Sequence, residues 1–224
     1  GIPSYLAAIE RIRPIAALME EVDNLALHAG VLTDAITRLN GWGYHVRVAH
    51  SNAVHYGLPQ FRSRLILTAS LLGPIEPPPF SVKRYETVGD ALKGRNAFDG
   101  DSHPELQLSE SQLASIRRYE EISGVKRSRD LVRDLPARCV TSSNVVGVSG
   151  DALRLLLDDG SRRRLTPEEV GILQGFTPEQ ISALQGASIS DTQIRRGLGA
   201  AVAVPHAAAW AAQVRAHLAE WQGL

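Results

Sequence analysis

The chain has a single cysteine, Cys139, so it forms no internal disulfide and cannot build a Cys-based zinc site. It has no apolar run near the ~20 residues that a membrane-spanning helix needs, and no signal-peptide pattern at its start. A cytoplasmic protein is therefore expected. Lysine is nearly absent: Lys83, Lys93 and Lys126 are the only three among 24 basic residues, so almost all positive charge is guanidinium. Net charge is absent too, formally zero, and the overall balance gives no nucleic-acid signal. There is no internal repeat and no low-complexity tract. The first residue is Gly1 rather than Met, which reads as a trimmed chain, a fragment, or a chain preceded by further sequence.

What is present suffices for a folded core. With 224 residues, 44% hydrophobic and 21% charged, the chain reads as one soluble domain or a domain with an appendage. The arginines cluster at 62–64, 126–138 and 162–164, where each cluster could meet a phosphate backbone. Solvated surface arginines explain the middle cluster equally well.

Periodicity places the elements. Leu6, Ile9 and Ile12 predict a helix over 4–13, stopped by Pro14. Residues 15–19 are a buried-strand run leading into Glu20-Glu21-Val22. A helix over about 26–39 and strands at 44–48 and 65–68 complete part of an α/β sheet. Pro74, Pro77, Pro78 and Pro79 then form a linker-like stretch. Residues 80–138 are polar and weakly periodic, with one capping box at Ser109 and Gln112, and read as a small inserted subdomain. Residues 140–157 look like hairpin material turning at Asp159-Gly160. Thr166-Pro167-Glu168-Glu169 and Thr177-Pro178-Glu179-Gln180 are helix starts, and Pro205 opens a long alanine-rich helix to about residue 220.

Four segments carry chemistry. Tyr56-Gly57-Leu58-Pro59-Gln60-Phe61-Arg62-Ser63-Arg64 sets two arginines two positions apart at the mouth of a strand, on one face, suited to gripping a phosphate and a base carbonyl together. Glu20 ends a buried strand. The third segment is Arg164-Leu165-Thr166-Pro167-Glu168-Glu169 with Leu173-Gln174-Gly175-Phe176, and the fourth is Arg196-Gly197-Leu198-Gly199-Ala200-Ala201-Val202. In this order and spacing they resemble the C-terminal half of a DNA cytosine-5 methyltransferase. The resemblance covers roughly 1–75 and 135–215, and within it the Gln-x-Arg-x-Arg motif matches without departure.

The resemblance implies an α/β fold, the C-terminal part of a Rossmann-like S-adenosylmethionine-dependent methyltransferase sheet, divided into a partial catalytic domain at 1–73, a recognition insertion at 74–138, and a hairpin with closing helices at 139–224. It implies catalytic roles for Glu20 on N3 and Arg64 on O2 of a cytosine flipped from the duplex, with Arg62 supporting the pocket and a phosphate. It places DNA contacts at Gln60, Arg62, Thr141, Ser142 and Ser143, and the S-adenosylmethionine edge at Gly199, Ala200, Ala201 and Val202. Nothing in the chain resembles the family's Phe-x-Gly-x-Gly cofactor loop or its Pro-Cys nucleophile; Cys139 reads as a small buried thiol. The expected protein is thus one component of a split or longer enzyme, of restriction-modification type, sharing S-adenosylmethionine with a second chain or segment and inactive alone. Glu21, where the family has asparagine, Ala200, where it has asparagine again, and the short recognition segment leave open a catalytically inactive DNA-binding or regulatory module.

Overall fold

The computed structural model describes residues 1–27, 29–124, 129–147 and 150–222. The chain divides into two compact units, both discontinuous: Gly1–Asn52, Ser63–Phe80 and Ala207–Leu224 form the first, Ala53–Arg62 and Ser81–His206 the second. This differs from the division expected at 73 and 138. Apolar residues on both sides of position 138, including Val88, Phe98 and Leu131 before it and Leu155, Val170 and Leu198 after it, share one core. Residues 80–138 are therefore half of a larger unit rather than a small insertion of their own. Their weak periodicity reflects long loops between few core positions.

In the first unit, α1 (Ile2–Ile12) ends where Arg13 turns left-handed at φ 53°, its N–H on the Ile9 carbonyl, ahead of Pro14. Three strands follow: β1 (Ala16–Val22), β2 (His45–Asn52) and β3 (Ser63–Ser70), with α2 (Ala29–Gly41) between the first two. The sheet order is β1-β3-β2, and both outer strands run antiparallel to β3. β1 and β2 therefore run the same way, and α2 crosses between them over a strand added later. The expected α/β texture is a crossover of this kind with an antiparallel strand filling its gap. Leu6, Ile9, Ala35 and Leu39 cover one face, against Met19, Leu67 and Ala69. On the other face the C-terminal helix α8 (Val204–Gln222) docks through polar contacts: Trp210 Nε1 donates to Ser51 Oγ at 3.1 Å, and His217 Nε2 lies 2.9 Å from Ser70 Oγ.

The second unit holds α3 (Val88–Ala91), α4 (Glu110–Ser123), a small sheet of β4 (Asp130–Leu131), β5 (Arg154–Leu156) and β6 (Arg162–Arg163), and helices α5 (Pro167–Leu173), α6 (Pro178–Gln185) and α7 (Asp191–Ala200). The expected capping boxes at Ser109, Thr166 and Thr177 all form. The hairpin lies later than expected. β5 and β6 pair around Asp159-Gly160, whereas residues 141–146 are turns built by side-chain hydrogen bonds.

Candidate functional site

Register decides what surrounds Glu20. On β1 it pairs with Ile66 of β3, and Val22 pairs with Arg64. Directly opposed residues share a face and side chains alternate along a strand, so Glu20 and Arg64 are diagonal neighbours on the same face. Arg64 Nε lies 2.8 Å from Glu20 Oε1. The N–H does not point along that line, so Oε1 is buried beside a cation yet accepts no directed hydrogen bond. The Glu20 side chain remains 22% exposed. Its carboxyl thus keeps hydrogen-bonding capacity that the protein does not use. Glu21 pairs with Leu65 and points to the opposite face, so the second negative charge does not crowd Glu20.

Arg62 does something else within its own unit. It is 4% exposed, donates from Nη1 to the Val140 carbonyl at 2.6 Å and from Nη2 to the Ala201 carbonyl at 2.9 Å, and Nη1 also lies 3.7 Å from Cys139 Sγ. The expected two-arginine grip is thus not a single device. Arg64 pairs with a carboxylate in the sheet, and Arg62 ties the segment around Val140 to the segment around Ala201.

Gln60 is wholly buried, at 0% exposure. Its Nε2 donates to the Leu173 carbonyl (2.8 Å) and to Gln174 Oε1 (3.2 Å), while its Oε1 accepts the Val140 N–H at 2.7 Å. Gln174 Nε2 in turn donates to the Leu198 carbonyl at 2.8 Å. This amide chain leaves Gln60 nothing to offer DNA, which corrects the contact expected there. It also explains two of the quoted motifs as parts of one internal strut.

The hydroxyl-rich segment is organised by Asn144. Thr141 N–H donates to Asn144 Oδ1, Asn144 N–H donates to Thr141 Oγ1, and Asn144 Nδ2 donates to the Cys139 carbonyl. Thr141 Oγ1 and Ser143 Oγ are 3.2 Å apart. Cys139 is half-buried. Gly199 of α7 meets this turn: a Cβ there would stand 2.6 Å from the Thr141 carbonyl group, so only glycine allows the approach. Gly199 is buried and the Ala201 carbonyl accepts from Arg62, so neither is open to a cofactor. Ala200 and Val202 are exposed. Residues 199–202 do not by themselves make a cradle for S-adenosylmethionine.

Two arginine clusters are largely internal. Arg163, fully buried, forms a two-pronged pair with Glu169 at 2.9 and 2.6 Å. Arg154 and Arg162 converge on Asp130 at 2.6 and 2.9 Å, and Arg154 also reaches Glu120 at 2.7 Å. The sequence motif pointed to Arg164 and missed Arg163; the six-residue spacing to Glu169, just inside a capped helix, was the available signal. Lys126 and Arg127 of the expected middle cluster lie outside the described residues. Among the described residues no group of His, Cys, Asp and Glu could hold a metal ion, and no helix is long and apolar enough to cross a membrane.

A family model described as C-5 cytosine-specific DNA methylase matches residues 2–216. The Type II methyltransferase M.AplI of Arthrospira platensis is 36% identical over 180 residues, which is 79% of this chain and 51% of that protein. M.HaeII of Haemophilus aegyptius is 28% identical over 209 residues, 89% of this chain and 60% of its own. Among solved structures, the Entamoeba histolytica methyltransferase EhMeth matches with a TM-score of 0.69 at 18% identity, covering 97% of this chain and 68% of that one. The S. pombe Dnmt2 methyltransferase matches with 0.70 at 16%, covering 95% and 70%. At such identity these likenesses are of fold. The chain spans about half the length of the curated relatives it matches.

Proposed function

Because the chain belongs to the C-5 cytosine-specific DNA methylase family, we propose that it supplies one wall of a flipped-cytosine pocket in an enzyme completed by sequence outside it. The observation that carries this reading is the diagonal Glu20–Arg64 pair, a carboxyl beside a guanidinium on one sheet face with Oε1 accepting no directed hydrogen bond.

The residue types suit the reaction. Cytosine C5 is a weak nucleophile until a thiolate adds to C6. Negative charge then develops along the ring, at N3 and O2. A carboxylic acid hydrogen-bonded to N3 and a guanidinium at O2 stabilise that charge where it forms. Glu20 takes the first role and Arg64 the second, while Arg64 also orients Glu20. Arg62 braces backbone carbonyls within its own unit. Thr141, Ser142 and Ser143 are the hydroxyls offered to the DNA strand. The thiolate comes from a Pro-Cys motif on a second chain or segment. S-adenosylmethionine, the methyl donor, is held mainly there by the Phe-x-Gly-x-Gly loop, with exposed Ala200 and Val202 at its edge.

The inactive-module alternative rests on Glu21, Ala200 and the short recognition segment. Glu21 faces away from Glu20 across the sheet, which leaves Ala200 and the short recognition segment in its favour. The test is covalent capture on 5-fluorocytosine DNA by this chain combined with one bearing the two missing motifs. We expect capture, no methyl transfer by this chain alone, and rates lowered about 10²- to 10³-fold by Glu20→Gln or Arg64→Ala in the assembled enzyme. Turnover by the isolated chain, or full rates in both variants, would overturn the reading.

A further inference from the structure

Within the second unit, buried Arg154 and Arg163 each hold a carboxylate, and so do the more exposed Arg84, Arg95, Arg133 and Arg162. Arg195 of α7 departs from this habit. It is only 6% exposed, yet no carboxylate among the described residues comes within ion-pair distance of it. It donates Nη1 to the Leu165 carbonyl at 3.1 Å and Nη2 to Thr192 Oγ1 at 3.5 Å, the outer limit of a hydrogen bond. Its Nε has no acceptor, so most of the five N–H groups of the fork are unused. Thr192 is exposed, which puts the Nη2 end of the fork next to the surface. A guanidinium buried in this state costs the fold stability.

Arg164 adds like charge. Burial holds the Arg195 pKa below the ordinary arginine value, Arg164 pushes it the same way, and exposed Asp191 offsets them only in part. Arg164 is half-buried and also holds no carboxylate among the described residues; its side chain reaches the Glu105 carbonyl at 3.4 Å. Two neighbouring guanidiniums without a carboxylate make a positive field that an anion completes.

The surroundings select the anion. Gly199, one turn beyond Arg195 and about 6 Å along the axis of α7, touches the backbone of the Thr141 turn. The Thr141 and Ser143 hydroxyls of that turn lie 3.2 Å apart. Guanidinium and hydroxyl groups spaced along one ridge suit successive phosphates of a nucleic-acid strand, which they hold in register without reading bases.

We propose that Arg164 takes a backbone phosphate of the DNA, with the Arg195 fork as the second cation of the site, in a sequence-independent contact beside the Thr141 turn. The inference rests on the reading of this chain as part of a DNA methylase and adds a phosphate contact separate from Glu20 and Arg64.

The test titrates the full chain with fluorescent duplex DNA across a salt series. Wild-type protein should bind with an affinity that falls steeply with salt. Arg164→Gln should lower that slope by about one and weaken binding about fivefold on every duplex sequence, whereas Arg164→Lys, which keeps the charge, should restore the slope. Arg195→Met should lower the slope too, with a melting temperature equal to or above the wild type, because an apolar side chain relieves the buried charge. Arg118→Gln removes an equal charge from α4 and should leave the slope unchanged.

A wild-type slope in Arg164→Gln, an equal loss in Arg118→Gln, or no binding by the wild type would overturn the proposal. So would an Arg195→Met protein that melts far lower and keeps the wild-type slope, since Arg195 would then be only a brace for Leu165. Stabilisation by millimolar inorganic phosphate that vanishes in Arg164→Gln, with the DNA slope intact, would assign the site to a free ion instead. The readout needs neither a flipped base nor methyl transfer. An Arg164-dependent slope in an enzyme that never captures 5-fluorocytosine DNA would sink the base-pocket reading and leave this one standing; capture with an unchanged slope would do the reverse.

Discussion

Truncating Gln60, which is 0% exposed, to alanine would strand the buried Val140 N–H and Leu173 carbonyl, in addition to the space left by the side chain. Each buried orphan costs about 1–3 kcal/mol, so Gln60→Ala should destabilise the second unit by roughly 3 kcal/mol, measured by urea titration. Glutamate would not rescue it, because a carboxylate accepts but cannot donate to Leu173. A contrasting case is Tyr5, whose hydroxyl is buried without a partner and whose pKa burial raises to about 12, with a smaller push from Tyr44. The unfolded tyrosine ionises near 10, so the folded state is favoured below that pH. That contribution fades as pH rises from about 10 toward 12. Tyr5→Phe should remove this alkaline loss and leave stability at neutral pH equal or higher, which a pH series of melting curves would check. A mutant that melted much lower at pH 7 would mean the hydroxyl has a use.

Helix α7 offers a matched pair of glycines. Gly199 touches the Thr141 backbone, so Gly199→Ala forces helix and turn apart and should cost about 1–3 kcal/mol. At Gly197, in the same helix, a Cβ would meet nothing within 4 Å, so Gly197→Ala should stabilise by about 0.5–1 kcal/mol. Equal effects in thermal denaturation would show that the close approach is not real. Elements such as α5 and α6 were legible in the sequence because their signals are local: a hydroxyl, a proline and an acid or amide within four residues. The Thr87–Asp90 and Ser190–Gln193 boxes have the hydroxyl and the acid or amide without the proline, and were passed over. The hairpin was misplaced because residues 140–146 are rich in β-branched valine and threonine, while Asn144 gives that backbone its partners instead. That Glu20 and Glu21 face opposite ways follows only from strand register, which no short stretch of sequence encodes. Gln60 looked like a surface polar group because its partners lie more than 70 residues away.

At the scale of the molecule, the first unit ends at an edge. Among the described residues β1 pairs only with β3, and Ile15, Leu18 and Val22 are exposed along it. A strand with one row of unpaired backbone groups and apolar side chains recruits another strand. The isolated chain should therefore self-associate as concentration rises, read by light scattering, and Leu18→Lys should suppress this. A monomer at all concentrations would show that the edge is closed in some other way. The order of the chain also matters during synthesis. Trp210 and His217, which reach Ser51 and Ser70 of the sheet, lie 159 and 147 residues after them in the chain. Every residue of the second unit precedes them, so that unit can fold while the first still lacks the helix that covers one of its faces. Strands β1 to β3 are thus finished after the second unit although they begin before most of it, and until then they hold an uncovered sheet face in the crowded space outside the exit tunnel.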